Sequence, residues 1–200
     1  MKRKIWDLYA PIYSRAMRAE ERSYAFLYRR IPKWVRAKEV LELATGPGVL
    51  AKRIAPVTER MLATDYSEGM IAEAKKGACP KNLRFEVADA MDLPYADASF
   101  DAVIIVNALH LLPEPERALR EIARVLRQDG ILIAPNFVKK RERLVGRCWE
   151  AVLGLVGVRF EHQWTAGEYL AFFRDNGWEP LFYKEMQARM PFLYVECRRS

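Results

Sequence analysis

The sequence of 200 residues contains little cysteine and histidine, with three of the first and two of the second. Cys79, Cys148 and Cys197 are odd in number, lie far apart and form no C-x-x-C pair. This pattern fits neither a disulfide framework nor a zinc site, and it is typical of free thiols in a reducing compartment. We therefore expect a cytoplasmic protein without a metal centre.

Long apolar runs are also missing. No uninterrupted apolar segment reaches the roughly 18–20 residues that a membrane-spanning helix needs, and the basic start of the chain has no apolar segment after it, so we expect no signal peptide. Repeats, low-complexity tracts and linkers are absent. Because 51% of the residues are hydrophobic, one domain of this length buries a substantial core.

Acidic residues are scarce at the start of the chain. Residues 1–38 hold eleven Lys and Arg against three Asp and Glu, a net charge of +8 within a total of +7. Such a region either contacts an anionic membrane or an acidic substrate, or is a solvated basic surface. Nucleic acid is not an expected partner, because no helix-turn-helix, zinc-finger or RNA-recognition motif is present and no N-P-P-Y motif follows the fourth predicted strand.

The most informative stretch is residues 40–50. A short apolar run predicts a buried strand, which ends at Thr45-Gly46-Pro47-Gly48, and helical spacing of apolar residues follows. A glycine-rich turn between a strand and a helix lets the backbone approach a ligand at the carboxyl edge of a parallel sheet. An ordinary strand-to-helix turn is the alternative.

Two ligand classes fit this turn. Residues 46–51 satisfy the G-x-G-x-x-A pattern of dinucleotide sites, with Asp65 about twenty residues further on. However, Glu42 precedes the turn, and a carboxylate suits a cationic ligand better than a pyrophosphate. Residues 42–48 resemble the acidic-x-G-x-G-x-G motif of class I S-adenosylmethionine-dependent methyltransferases, with Ala44 in place of the first glycine. The resemblance implies that the cofactor lies against Glu42, Ala44, Thr45, Gly46 and Gly48.

Two further motifs follow the next predicted strands. Asp65 and the Ser67/Met70 pair resemble the second motif of the same family, which implies that the carboxylate accepts hydrogen bonds from the ribose hydroxyls, with Tyr66 beside it and Met70 against adenine. Alternatively, Asp65 only caps the next helix. The third motif implies adenine recognition by Asp89, Ala90 and Met91.

The fourth predicted strand is almost wholly apolar and ends at Asn107-Ala108-Leu109-His110. By the resemblance, Asn107 and Ala108 contact the cofactor and this edge faces the transferred methyl group. His110 is the candidate general base if the acceptor is a hydroxyl, amine or acidic carbon. A structural residue at a helix start is the alternative interpretation of His110.

The start of the chain resembles the A-x-x-Y entry of methyltransferases that act on quinone precursors and lipids. In those relatives this segment covers the cofactor, which implies a cofactor contact for Tyr13; packing of an amphipathic helix is the alternative. We predict a helical cap over residues 1–37 and a methyltransferase domain over 38–200. Within that domain we predict a helical insertion at about 139–164, which is a candidate lid for the substrate.

The predicted fold is α/β, a Rossmann-like doubly wound sheet of seven strands with the last strand antiparallel. A helix opening at Pro115 is predicted to close at Gly130, and an antiparallel edge pair of strands is predicted over 178–186 and 190–197. The predicted function is methyl transfer from S-adenosylmethionine, with S-adenosylhomocysteine as product, to a small-molecule or lipid-like acceptor. A nicotinamide-dependent oxidoreductase and a non-catalytic S-adenosylmethionine-binding protein are the alternatives, and peripheral membrane contact through the basic N-terminus is a further expectation.

Overall fold

A computed structural model describes residues 6–7, 21–139, 161–186 and 191–200. Tyr13 and most of the predicted insertion at 139–164 lie outside the described residues. Trp6 and Asp7 are helical. The other helices are α1 (Glu21–Arg30), α2 (Pro32–Val35), α3 (Val49–Ile54), α4 (Glu68–Ala74), α5 (Pro115–Val125) and α6 (Ala166–Asp175). The strands are β1 (Glu39–Leu43), β2 (Arg60–Asp65), β3 (Leu83–Val87), β4 (Phe100–Ile105), β5 (Leu126–Ile133), β6 (Asn136–Phe137), β7 (Trp178–Met186) and β8 (Phe192–Arg199).

The strands form one mixed sheet in which β1 to β5 are parallel, in the order β3-β2-β1-β4-β5. Strand β8 pairs antiparallel with β5, and β7 and the two-residue β6 both pair with β8. The chain order reverses between β1 and β4, which is where open α/β sheets form a crevice for ligands. The predicted Rossmann-like sheet with an antiparallel last strand is confirmed. The short β6 adds an eighth strand, and β8 lies inside the sheet between β5 and β7.

The central parallel strands β1 and β4 are buried almost throughout because both faces of the sheet are covered there. Successive residues of β1 alternate between two cores: Leu41 and Leu43 pack with α5 and α6, whereas Val40 packs with α1, α3 and α4. Strand β4 alternates in the same way, with Val103 in the first core and Ile104 in the second. Helices on both faces make the sheet doubly wound, as predicted.

Helix α5 ends earlier than the sequence indicates. The predicted helix runs to Gly130, but α5 ends at Val125 and β5 begins at Leu126, which pairs with Phe100. The register of β5 then shifts. A Cβ atom on Gly130 would lie 2.5 Å from Cγ of Leu126, so this irregular strand start depends on a glycine.

The helices before β1 are tied to the sheet by a buried carboxylate. Both oxygens of Glu196, in β8, accept hydrogen bonds of 2.7 Å from the Arg30 guanidinium, and the Tyr194 hydroxyl donates a third bond of 2.7 Å. A buried charge needs such partners, because an unpaired one is costly. The division of the chain at residues 37 and 38 stays a prediction. Within the described ranges, no helix combines the length and apolar character that crossing a bilayer requires.

Candidate functional site

The loop between β1 and α3 turns through three residues with positive φ: Ala44 at 53°, Gly46 at 56° and Gly48 at 73°. Two hydrogen bonds to the end of β2 hold its backbone. The N–H of Thr45 donates to the carbonyl of Thr64 at 2.8 Å, and the N–H of Gly46 donates to Oδ2 of Asp65 at 2.9 Å. The loop therefore depends on β2 for its conformation as much as on its own glycines.

Gly48 has a packing role in this loop. A Cβ atom there would lie 2.7 Å from the Phe85 ring and 3.1 Å from the Ala74 side chain. A glycine at this position lets the start of α3 approach β3 and α4 closely. Gly48 is not among the residues that line the cavity described below, and its contact with a cofactor stays a prediction.

Ala44 occupies the position where the resembled motif has its first glycine, and it carries the strain that a glycine would avoid. The left-handed conformation costs an L-residue other than glycine about 1–2 kcal/mol. A glycine avoids this cost, but it also makes the unfolded chain more flexible, which offsets part of the gain in stability. We expect Ala44→Gly to raise the free energy of unfolding by about 0.5–1 kcal/mol, measured by urea denaturation. The matched control is Ala98→Gly, at an exposed residue with φ of 50°, which is expected to stabilise the protein similarly. A loss of stability in Ala44→Gly would contradict this account.

Asp65 lies at the carboxyl end of β2 and connects two loops. Its Oδ2 accepts from the N–H of Gly46 and its Oδ1 from the N–H of Ser67, each at 2.9 Å. Burial raises the pKa of the Asp65 carboxyl, and the two N–H donors oppose that shift. Asp65 does not cap the following helix: Ser67 does, with its Oγ accepting from the N–H of Met70 at 3.0 Å.

The third motif forms a tight turn after β3. Oδ1 of Asp89 accepts from the N–H of Met91 at 2.9 Å, and the Asp89 carbonyl accepts from the N–H of Asp92 at 3.1 Å. This turn presents Asp89, Ala90 and Met91 to the same cavity as Asp65 and Met70.

After β4, Asn107 adopts a positive φ of 52° and is only 7% exposed. Asparagine tolerates this conformation better than most residues. Its N–H donates to the carbonyl of Pro135 at 2.9 Å, and no described residue donates a hydrogen bond to its Oδ1. Buried acceptors are rarely left without a donor, so this oxygen is suited to a ligand N–H or O–H group.

Glu42 is 3% exposed in the interior of the sheet. Burial, with a smaller contribution from the nearby Asp65 charge, raises the pKa of Glu42 to about 8. Neither Oε2 of Glu42 nor Oγ1 of Thr45 has a hydrogen-bond partner among the described residues. Both side chains therefore place buried oxygen atoms without partners at the start of the glycine loop, where an ionised Glu42 would suit a cationic ligand.

His110 lies in a short 3-10 turn after β4 and is buried. Its Nδ1 lies 2.6 Å from Oδ1 of Asn136, so Nδ1 carries the proton in this arrangement. Burial lowers the pKa of His110 to about 4, with the nearby His162 contributing in the same direction. The ring is therefore neutral at physiological pH. It is not among the residues that line the cavity, and its role as a base stays a prediction.

These motifs meet in a cleft with a cavity volume of about 120 Å³ at the carboxyl edge of the sheet. The sequence predicts ten of its lining residues: Ala44, Gly46, Asp65, Tyr66, Met70, Asp89, Ala90, Met91, Asn107 and Ala108. Of the predicted site residues that the structure describes, four are not in the lining: Glu42, Thr45, Gly48 and His110.

Other lining residues were not predicted as site residues. Ala88 directly follows β3 and Val106 directly follows β4, each beside a predicted position. Leu111, Leu112 and Pro113 continue the chain beyond Ala108. Their positions next to a motif are the signal that could have identified them. Trp6 also lines the cleft, and no sequence motif marks it.

The chain resembles known methyltransferases in sequence and in structure. Residues 41–134 match the family model described as "Methyltransferase domain". The demethylmenaquinone methyltransferase of Thermobifida fusca is 35% identical over 141 residues, which cover 66% of this chain and 59% of that protein. The match thus spans less than two thirds of that relative's length.

Two solved structures share the fold over nearly the whole chain. A chain of the complex between the Haloferax volcanii Trm112 methyltransferase activator and a methyltransferase has a TM-score of 0.82 at 19% identity, covering 98% of this chain and 96% of its own length. DhpI in complex with S-adenosylhomocysteine has a TM-score of 0.75 at 21% identity, covering 99% and 95% of the two chains.

The described residues fit S-adenosylmethionine as a cofactor. The site combines an unsatisfied acidic group under the loop, a carboxylate at the end of β2, an acidic turn after β3 and an unsatisfied amide oxygen after β4. A nicotinamide dinucleotide would account for the glycines and Asp65 but not for Glu42 or Asp89. With the match of residues 41–134 to a methyltransferase domain, the chain is similar to the class I S-adenosylmethionine-dependent methyltransferases.

Proposed function

We propose that this protein is an enzyme that transfers a methyl group from S-adenosylmethionine to a small, largely apolar acceptor with a quinone-like ring. The observation that carries the proposal is the composition of the cleft. Its wall continues from the acidic residues of the cofactor motifs to Val106, Leu111, Leu112 and Pro113. An apolar wall next to the cofactor residues is suited to an aromatic or prenylated acceptor, and the Thermobifida fusca relative bears the name of a quinone methyltransferase.

The cofactor supplies an activated methyl group on a sulfonium sulfur, which an acceptor displaces in line. In this proposal Asp65 and Asp89 hold the nucleoside, while Glu42 and Asn107 offer oxygens to the cationic amino-acid part. These contacts contribute to the rate by fixing the reacting groups relative to each other, which lowers the entropic cost of the reaction. The apolar residues after β4 exclude water from the same space.

Methylation of a ring carbon replaces a hydrogen, so a proton must leave the acceptor. His110 is neutral and its Nδ1 is bonded to Asn136, so proton removal by His110 would have to occur through Nε2. A reduced quinone ring bears acidic hydroxyls and activated carbons, so it needs only a weak base. We therefore propose that alignment of the acceptor contributes more to the rate than His110 does.

We also propose that an acceptor with a lipid-like tail reaches the protein from an anionic membrane surface. Arg29 is exposed on α1 and Lys33 on α2, and Arg36 is exposed directly after α2. Basic residues near an anionic surface each contribute about 1 kcal/mol of attraction. These three basic side chains support peripheral contact, and none of them lines the cleft.

The test is a methyl-transfer assay with the full chain, methyl-labelled S-adenosylmethionine and demethylmenaquinol in vesicles. We expect label in the ring of the acceptor, identified by mass spectrometry, and a higher rate in vesicles with anionic lipid than in neutral vesicles. Asp65→Ala is the inactive control. If the protein binds S-adenosylhomocysteine but labels neither demethylmenaquinol nor simpler hydroquinones and phenols, the non-catalytic alternative gains support. Equal rates in both kinds of vesicle would contradict the membrane contact.

A further inference from the structure

Asp7, near the start of the chain, contacts the start of α4, sixty or more positions further along the sequence. Oδ1 of Asp7 accepts a hydrogen bond of 2.9 Å from the N–H of Gly69, a residue 62 positions away. The same oxygen accepts from the hydroxyl of Ser67. Trp6, the residue before Asp7, forms part of the wall of the cofactor cleft.

This contact requires a glycine at position 69. A Cβ atom there would lie 2.8 Å from Cα of Asp7 and 3.1 Å from both its carbonyl oxygen and Oδ1. The three nearest atoms all belong to Asp7, and Gly69 itself does not line the cleft. Glycine lowers helix stability relative to alanine. Gly69 therefore makes α4 less stable but allows Asp7 to approach it closely.

The contact is directly linked to the cofactor residues. Ser67 donates its hydroxyl to Asp7, while its Oγ accepts from the N–H of Met70 and its own N–H donates to Asp65. Asp65 and Met70 both line the cleft. Asp7 is thus connected through Ser67 to two residues that line the cleft, Asp65 and Met70. In the sequence it directly follows Trp6, a third lining residue.

We propose that Asp7 is a positioning residue whose docking on Ser67 and Gly69 holds Trp6 in the wall of the cleft and slows the release of the bound nucleoside. In this arrangement the cofactor leaves at a rate set by the Asp7 contact. The proposal depends on the cofactor and not on the methyl acceptor, so failure of the acceptor assay leaves it unaffected.

Gly69→Ala gives a sharp test, because its two effects have opposite directions. The methyl group displaces Asp7, so we expect S-adenosylhomocysteine to dissociate about tenfold faster in stopped-flow measurements. This factor corresponds to the loss of one hydrogen bond to a charged group. The alanine favours the helix, so the thermal unfolding temperature should be unchanged or higher. A purely structural contact predicts no change in dissociation.

The matched control is Gly167→Ala. Gly167 occupies the same second position of a helix, in α6, and a Cβ atom there would have no neighbour within 4 Å. This variant should gain the same helix stability without changing the dissociation rate. Equal dissociation rates in the two glycine variants would overturn the proposal.

Asp7 variants complete the experiment. Asp7→Ala should accelerate dissociation as much as Gly69→Ala does, and the double variant should be no faster than either, because both changes remove one contact. Asp7→Asn keeps an acceptor oxygen and should be less affected. In hydrogen exchange, the Gly69 amide should exchange faster in Asp7→Ala than in wild type. Additive effects in the double variant, or an unchanged Gly69 amide, would show that Asp7 acts elsewhere.

Discussion

Asp65→Ala is expected to weaken the binding of S-adenosylhomocysteine by roughly 100-fold or more. The carboxylate accepts the N–H groups of Gly46 and Ser67, and its remaining lone pairs are available to the two ribose hydroxyls. Hydrogen bonds to a charged group contribute about 1.5–3 kcal/mol each, and the substitution removes two such ligand bonds while it also frees the glycine loop. Calorimetric titration measures the loss directly.

Two further variants separate ligand binding from support of the loop. Asp65→Asn keeps the shape of the side chain, but its amide group would place N–H donors against the N–H of Gly46 or Ser67, so affinity should fall nearly as far. Asp101→Ala is the matched control: this carboxylate also accepts a backbone bond, from Glu39 at 2.9 Å, and pairs with Arg127, but at the amino edge of the sheet. It should lower the unfolding temperature and leave affinity unchanged. Unchanged affinity in Asp65→Ala would contradict the assignment of the nucleoside site.

The second large effect expected is a release of protons when S-adenosylmethionine binds near pH 7. Glu42 has a pKa of about 8 in the free protein, so about nine-tenths of the molecules carry a neutral Glu42 at that pH. A cationic ligand favours the carboxylate, so binding should expel close to one proton per site, and affinity should rise between pH 6 and pH 9. Titration calorimetry in buffers of different ionisation enthalpy counts these protons.

Glu42→Gln should abolish this release, because the amide does not titrate. Glu39→Gln, at the other end of β1, where the side chain pairs with Arg60, is the control and should release as many protons as wild type. Proton release that persists in Glu42→Gln would show that another group, such as the cofactor's own amine, is responsible.

The same carboxyl affects the stability of the free protein. Because folding raises the pKa of Glu42 from 4.5 to about 8, its favourable contribution is complete below pH 4.5 and is lost as the pH rises through 8. At pH 9 the buried charge should therefore destabilise wild type relative to Glu42→Gln by on the order of 3–5 kcal/mol. Urea denaturation of both proteins from pH 5 to pH 9 measures the difference. A constant difference across this range would contradict the raised pKa.

The cofactor motifs could be predicted from the sequence because each is local. A strand followed by small or acidic residues fixes where a turn begins, and parallel strands bring the turns to one edge of the sheet. For this reason Gly46, Asp65, Met70 and Asp89, which lie at or beyond the carboxyl ends of three different strands, line one cleft. Their neighbours Leu111, Leu112 and Pro113 have no such local pattern, and only the path of the chain after β4 brings them to the cleft.

Boundaries and strand order were less predictable. The apolar spacing of α5 continues into Leu126, but pairing of that residue with Phe100 ends the helix five residues before Gly130. Likewise, the sequence indicates that the last two strands pair but not that β8 lies inside the sheet. Pairing between strands depends on distant residues, and it overrides local helix propensity.

The sequence by itself determined the class of fold and the order of the cofactor motifs, because these follow from local patterns of apolar, glycine and acidic residues, and the resemblance of those motifs to a family favoured one type of cofactor. Only the tertiary structure decided the environment of each residue. The packing of Gly48 on Phe85, the raised pKa of Glu42, the burial of His110 and the contact of Asp7 with Gly69 all depend on groups far away in sequence. Close packing and desolvation act through space, so a linear pattern of residues does not contain them.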